Sequence, residues 1–348
     1  MFDKETVLIL GAGASCHYGY PTGEELVERI IERTKDVEHE VDKNVAHKKR
    51  LPPPPHNQDR ISCDSGLYTE YVSLLGGLKQ LLESLHPLNI DSFLLYNDRY
   101  APLAKTLIAD ILLGCNDPLS KRPKDYDPEK WKKDNNWYRY LFHALTYGCK
   151  VDASDTSGKP DIEDSIKNLT IITFNYDTSL ERYLRKAFQS VQAFAKRADD
   201  LMRLIKEKEK IYHVYGKLAD EDFYDLSPDQ QKAKRSDIVR ASADIEVVDI
   251  DKQEKRKNNL KKATGDALKK AQRVVILGYG FDGENNKLLD LFNVDGIKPH
   301  NKHVAYTNYG NSQRIERKFI ELKKGEPRRF ETSTQTVAEA LRHDFDLT

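Results

Sequence analysis

Cysteine is scarce: four in 348 residues, Cys16, Cys63, Cys115 and Cys149. They lie far apart, and no two form the CxxC pair from which tetrahedral zinc sites are built, so neither structural zinc nor a disulfide framework is expected. Net charge is also lacking. Lys plus Arg and Asp plus Glu number 56 each, which removes bulk attraction to nucleic acid or to an anionic membrane as a reason for binding either. Long apolar runs are missing too. Nothing approaches the roughly 18 residues of a membrane helix, and the apolar stretch within Met1–Gly13 is too short for a signal-peptide core and runs into glycines. The expectation is a chain of the reducing cytoplasm without a membrane segment.

What is present is a soluble, helix-rich composition, 39% hydrophobic and 32% charged, in a length that allows one large domain or two. Four runs rich in β-branched or aromatic residues, Thr6–Leu10, Leu169–Phe174, Ile211–Tyr215 and Arg273–Leu277, read as strands buried on both faces, with His303–Thr307 a weaker fifth. This pattern predicts an α/β, Rossmann-like, mostly parallel sheet with helices on both faces. The gap between the first two strands far exceeds one crossover. It carries helical patterns at Tyr68–Ser84, Ile90–Gly114 and Asn136–Gly148, and reads as a helical insertion over residues 45–165. Pro52–Pro55 and Lys121–Lys133 read as loops within it, and Asp152–Asp164 as the return linker. Residues 216–272 read as a second, smaller helical insertion. Its basic stretch Lys252–Lys270 is better taken as a solvated helix face than as a nucleic-acid patch.

Chemistry concentrates at strand ends. Leu8–Leu10 runs into Gly11-Ala12-Gly13-Ala14-Ser15, a turn whose glycines let backbone N–H groups approach a pyrophosphate before a helix N-terminus. Thr22 and Glu25 have the spacing of a capping box, as do Thr178 and Glu181. The second strand ends in Thr173-Phe174-Asn175-Tyr176-Asp177, which sets Asn175 and Asp177 at a carboxyl edge where open α/β sheets hold ligands. A bare strand terminator with a capping Asp is the simpler alternative for Asp177. Ile211–Gly216 brings His213, and Leu277–Asp282 brings Gly278, Tyr279 and Gly280, to the same edge.

GAGAS, TFNYD, HVYG and GYGF, in that order, resemble the prokaryotic sirtuin-like proteins whose members cleave NAD in antiviral defence. The resemblance implies a single NAD-binding domain over residues 1–348. It also implies NAD as substrate, a catalytic Asn175, and Asp177 in the nicotinamide pocket. Gly11, Ala12, Gly13, Ser15, Thr22, Phe174, Gly278, Tyr279 and Gly280 would line the cofactor site, with Asn308 meeting the adenosine ribose. Relatives act as oligomers and with ATPase or Argonaute-type partners, so a homo-oligomer with such a partner is the corresponding expectation, without direct nucleic-acid binding.

Two departures shape the functional reading. Protein-deacylating relatives carry paired CxxC motifs, absent here, which favours an NAD hydrolase acting as a defence effector. The family's base is a His immediately before the glycine, and here that position is Tyr215, with His213 the nearest histidine. His213 and Tyr215 therefore join Asn175 and Asp177 as candidate catalytic positions. Three explanations fit: a regulatory NAD or ADP-ribose-binding module without catalysis, a His→Tyr version of an active enzyme, or a site rebuilt around His213. The second is slightly preferred, because every other matching position suits cleavage. An ordinary Rossmann oxidoreductase fits less well. Such an enzyme needs an acidic residue ending a second strand about 20 residues after the glycine turn, and Glu32–Asn44 continues in charged helical style.

Overall fold

The structure, a computed structural model, describes residues 1–46, 66–115, 136–150, 161–218, 238, 241–246, 250–292, 302–310, 312–323 and 329–347. Cys63, Pro52–Pro55 and Lys121–Lys133 lie outside them. By its internal contacts the chain divides into two compact units. One comprises Met1–Tyr18, Pro123–Val214 and Glu254–Thr348; the other comprises Gly19–Arg122 and Tyr215–Gln253.

The first unit holds the sheet. Its strands are β1 (Thr6–Leu10), β2 (Leu169–Thr173), β3 (Ile211–His213), β4 (Arg273–Leu277), β5 (His303–Thr307) and β6 (Arg329–Ser333). Every pairing is parallel and the order is β3-β2-β1-β4-β5-β6. β1 and β4 each carry four consecutive Val, Ile or Leu residues, and β2 and β5 are almost wholly buried, because both faces are covered. Leu8, Leu10, Ile171, Val275, Leu277 and Ala305 point into one cluster with Trp137, Leu141, Leu184, Phe188 and Leu341 from helices. On the opposite face Tyr306 stacks on Phe319 of the helix Gln313–Lys323, centroids 3.7 Å apart. Each such buried side chain contributes roughly 1.5–3 kcal/mol of transfer free energy, so the central strands anchor the unit.

Three readings need correction. β3 stops at His213, two residues short of the expected end, because the chain turns at Gly216 (φ +70°), which forms an isolated antiparallel bridge with Ile245. Tyr215 is therefore outside the strand, and strand alternation no longer relates its direction to that of His213. The run Ile90–Gly114 forms two helices, Ile90–Leu95 and Ala101–Cys115, separated by a tight turn at Asp98–Tyr100. Of the linker read at Asp152–Asp164, residues 152–160 lie outside the described residues, and its end enters a helix, Ile162–Lys167, whose cap Asp161 accepts from the Glu163 N–H. Thr6–Leu10, Arg273–Leu277 and His303–Thr307 form strands with the expected bounds, and the parallel α/β class stands. The pattern had not shown β6, Arg329–Ser333.

The second unit is helical: Gly23–Ala46 and Gly66–Leu85 pack together with Ile30, Leu75, Leu78 and Leu82 fully buried. Lys79 and Glu38 form an ion pair at 2.6 Å, and Arg33 pairs with Asp110. Among the described residues no helix is long and apolar enough to cross a membrane.

Candidate functional site

In this strand order the sheet reverses direction of growth between β1 and β4, and such switch points are where open α/β sheets hold ligands. Leu10 lies level with Thr173 on one side and Leu277 on the other. The three turns that follow therefore leave the sheet together.

The turns after β1 and β4 interlock through their glycines. The Gly11 N–H donates to the Leu277 carbonyl and the Gly13 N–H to the Gly278 carbonyl, both at 3.0 Å. A Cβ on Gly11 would stand 2.4 Å from Gly278 O, and one on Gly278 (φ +58°) would stand 2.1 Å from Ala14 N. Neither position has room for a side chain. The N–H groups of Ala14 and Ser15 close the turn onto Gly11 O and Ala12 O, so four N–H groups of GAGAS bond within the protein. These glycines are required by the contact of backbone on backbone. Gly280 differs: a Cβ there meets nothing within 4 Å.

The turn after β2 carries the polar centre. The Asn175 N–H donates to Thr173 Oγ1 at 3.1 Å, and its Nδ2 donates to Ser15 Oγ at 2.8 Å, which ties TFNYD to GAGAS. Asn175 Oδ1 is buried and has no hydrogen-bond partner. Such an atom is costly unless a ligand or water completes it. Asp177 is buried, and Ser179 donates to its Oδ1 from both N–H (3.1 Å) and Oγ. Burial raises the carboxyl above the usual carboxylate range; the donors on Ser179 and Ser15 oppose that shift without cancelling it.

His213 is held on both sides. Its Nδ1 stands 2.9 Å from the Asn175 carbonyl oxygen and its Nε2 stands 2.8 Å from Glu181 Oε1. The capping box expected at Thr178 and Glu181 does not form. Thr178 makes no side-chain cap bond; the Glu181 carboxylate meets His213, and Asp177 accepts from the first helical N–H.

Apolar walls stand beside these groups. The Phe174 ring lies 5.1 Å from that of Tyr279, whose hydroxyl donates to Asn286 at 3.2 Å and is held well above its ordinary pKa by burial. Two supporting residues were missed by sequence reasoning. Trp137 Nε1 donates to the Ala14 carbonyl at 2.7 Å, and Tyr138 reaches Ser179 Oγ at 2.7 Å while stacking on Tyr18. No motif marks them; an aromatic pair opening a helix looks like ordinary core.

The structure thus brings Gly11, Gly13, Ser15, Phe174, Asn175, Asp177, His213, Gly278 and Tyr279 into one bonded neighbourhood, with Ala12 in the same turn. Asn308 is committed elsewhere: its Oδ1 accepts from the Ser312 N–H and its Nδ2 donates to the Ser312 carbonyl. Thr22 and Tyr215 belong to the second unit, where Thr22 caps a helix with Glu25 and the Tyr215 carbonyl accepts from the Glu246 N–H. Among the described residues no group of three or more His, Cys, Asp or Glu is placed to hold a metal.

Residues 169–326, from β2 through the helix after β5, match the family model of the SIR2-like domain. No curated protein matches the chain.

Proposed function

We propose that this chain, whose residues 169–326 match the SIR2-like domain and so point to NAD-related activity, binds NAD at the carboxyl edge of β1, β2 and β4 and hydrolyses the bond between nicotinamide and ribose. The observation that carries this reading is Asn175. Three of its four polar groups are engaged, and the remaining one, Oδ1, is buried without a partner beside the glycine turns. An acceptor held in that way suits a ribose hydroxyl or a water.

In the reaction a water oxygen bonds to the anomeric carbon while the bond from that carbon to the pyridinium nitrogen breaks. The electron pair leaves with nicotinamide, and one proton of the water passes to a base. Charge builds on the ribose in an oxocarbenium-like transition state, so fixed dipoles and exclusion of water matter most. Asn175 would orient the water or the ribose hydroxyls, and Asp177 would meet the carboxamide. Gly11, Ala12, Gly13, Ser15 and Gly278 would border the pyrophosphate. Tyr215 occupies the family's base position and is a poor acceptor at neutral pH, since a phenol ordinarily titrates near 10. The chain as it stands is therefore a slow hydrolase. The wider reading is a single domain with two helical insertions, acting in the cytoplasm as a defence effector, as a homo-oligomer and with an ATPase or Argonaute-type partner.

A second reading, a regulatory module that binds NAD or ADP-ribose without cleaving it, is favoured by Tyr215 together with the engagement of both His213 nitrogens. One experiment separates them. The purified chain is titrated with NAD and with ADP-ribose by calorimetry, and free nicotinamide is measured over hours. Binding with slow release supports the hydrolase, and binding with no release supports the module. Absence of binding to either ligand at millimolar concentration rejects both.

A further inference from the structure

We propose that His213 and Glu181 form a buried positioning pair that fixes where Asn175 Oδ1 stands, and that His213 is not the proton acceptor of the reaction; the proposal rests on the NAD-binding reading of this site. A general base must turn an unengaged lone pair toward the proton that it takes. His213 has none to offer. Nδ1 faces a carbonyl oxygen, which can only accept, so that nitrogen carries hydrogen and donates. Nε2 faces the Glu181 carboxyl, and one proton bridges that contact, whichever partner holds it. Both side chains are closed off from solvent, 8% and 7% exposed.

What the pair does hold is the Asn175 peptide. Its N–H is fixed by Thr173 Oγ1, its carbonyl by His213 and its side-chain Nδ2 by Ser15. Release of the carbonyl leaves the peptide free to rotate and carries Oδ1 with it. Glu181 completes the chain of contact from the helix Ser179–Ser190, at the expense of the helix cap that its spacing offers. A displacement of about 1 Å at an orienting group costs on the order of 10²-fold in rate, so the pair matters to turnover without touching the substrate.

The test uses replacements that separate a donor from a base. Asn places an amide nitrogen two bonds from Cβ, as His places Nδ1, so His213→Asn keeps the donor to Asn175 and lacks any titrating nitrogen. Gln at position 181 can donate to Nε2 of a neutral imidazole. Single-turnover NAD cleavage should fall about 10²-fold in His213→Ala and in Glu181→Ala. His213→Asn and Glu181→Gln should each recover most of that loss. Should His213→Asn remain as slow as His213→Ala, His213 is a base and the proposal is overturned. A ligand-free reading stands beside this one: the side-chain amide ¹⁵N resonance of Asn175, identified by its loss in Asn175→Asp, should shift or broaden in His213→Ala and return toward its original position in His213→Asn. An unchanged resonance in His213→Ala overturns the positioning role even if NAD fails to bind, whereas failure of NAD and ADP-ribose binding alone overturns the NAD reading. Thermal unfolding of each variant shows whether the fold has survived, and the Glu181 pair supplies the same comparison if His213→Ala unfolds.

Discussion

Thr22–Glu25 and Thr178–Glu181 carry the same helix-start spacing and come to different ends. At the first, the box closes: the Glu25 carboxylate accepts from the Thr22 N–H at 2.8 Å, and Thr22 Oγ1 accepts from the Glu25 N–H at 3.2 Å. At the second, Thr178 is buried with an unpartnered hydroxyl, Asp177 meets the helix N-terminus, and Glu181 reaches His213. The first is at the surface, where local bonding decides. The second is beside the candidate site, where a buried imidazole with an open nitrogen competes for the same carboxylate. A charge-assisted bond in a buried setting outweighs a cap bond of about 1 kcal/mol. Local rules fail most often at functional sites, and this one fails beside the candidate site.

The largest effect expected from breaking that second region is at Asn175. Asn175→Ala should reduce NAD cleavage to background with the fold retained, because its amide orients reactants and is only half-buried. Nicotinamide release and circular dichroism check this together, and an active, folded Asn175→Ala protein removes the mechanism. Next in size is a gain. Tyr215→His supplies a group that titrates near 6.5 in place of a phenol, and a positioned base contributes about 10²–10⁴-fold. Cleavage should rise at least about 10²-fold. If it does not rise while the natural chain is already fast, the base lies elsewhere.

The two glutamates then sharpen the comparison in stability. Glu181→Ala strands a buried imidazole beside the Asn175 carbonyl and should cost about 2–4 kcal/mol. Glu25→Ala loses one exposed cap bond and should cost about 0.5–1 kcal/mol. Equal losses in urea unfolding would mean that both serve the same local purpose. Asp177 adds a pH dependence. Its native pKa is raised, so the unfolded chain gives up this proton first, and stability falls as pH climbs from the usual carboxylate range through the native value. Asp177→Asn is neutral throughout. The natural chain should lose stability relative to it with rising pH, and a difference that stays constant across the range counts against a raised native pKa.

What the sequence made legible follows from burial. β1, β2, β4 and β5 declare themselves because both faces are covered, leaving apolar runs that only a central strand explains. β6, Arg-Phe-Glu-Thr-Ser, stands at the sheet edge, where alternation replaces a run and five residues are too few to show it. The glycines of GAGAS and GYGF were visible, yet the reason for them was not. They read as room for a pyrophosphate, whereas Gly11 makes room for Gly278, and Gly278 for Gly13 and Ala14, a contact between turns more than 260 residues apart in sequence. His213 is legible as a strand-end histidine, and its partners are not, because no spacing rule links it to Glu181 thirty-two positions earlier. Trp137 and Tyr138 were unreadable for the same reason: their bonds to Ala14 and Ser179 exist only in the fold.

The smallest expected effect lies at Thr178, and set against Thr22 it tests the comparison most directly. Thr22→Ala opens a working capping box and should destabilise by about 1 kcal/mol. Thr178→Val should not. Thr178 is 0% exposed and its hydroxyl has no partner, so the residue already bears the desolvation of a buried polar atom without the bond that would offset it. Valine keeps the shape and the β-branch and removes that atom. The change should be neutral or stabilising by up to about 1 kcal/mol, read as an unchanged or raised midpoint in urea. ADP-ribose affinity is measured on the same variant. A Thr178→Val protein that loses stability as Thr22→Ala does would show that the second box closes in solution after all. One that keeps its stability but loses affinity would place the hydroxyl against the ligand, and would add Thr178 to the residues proposed to meet NAD.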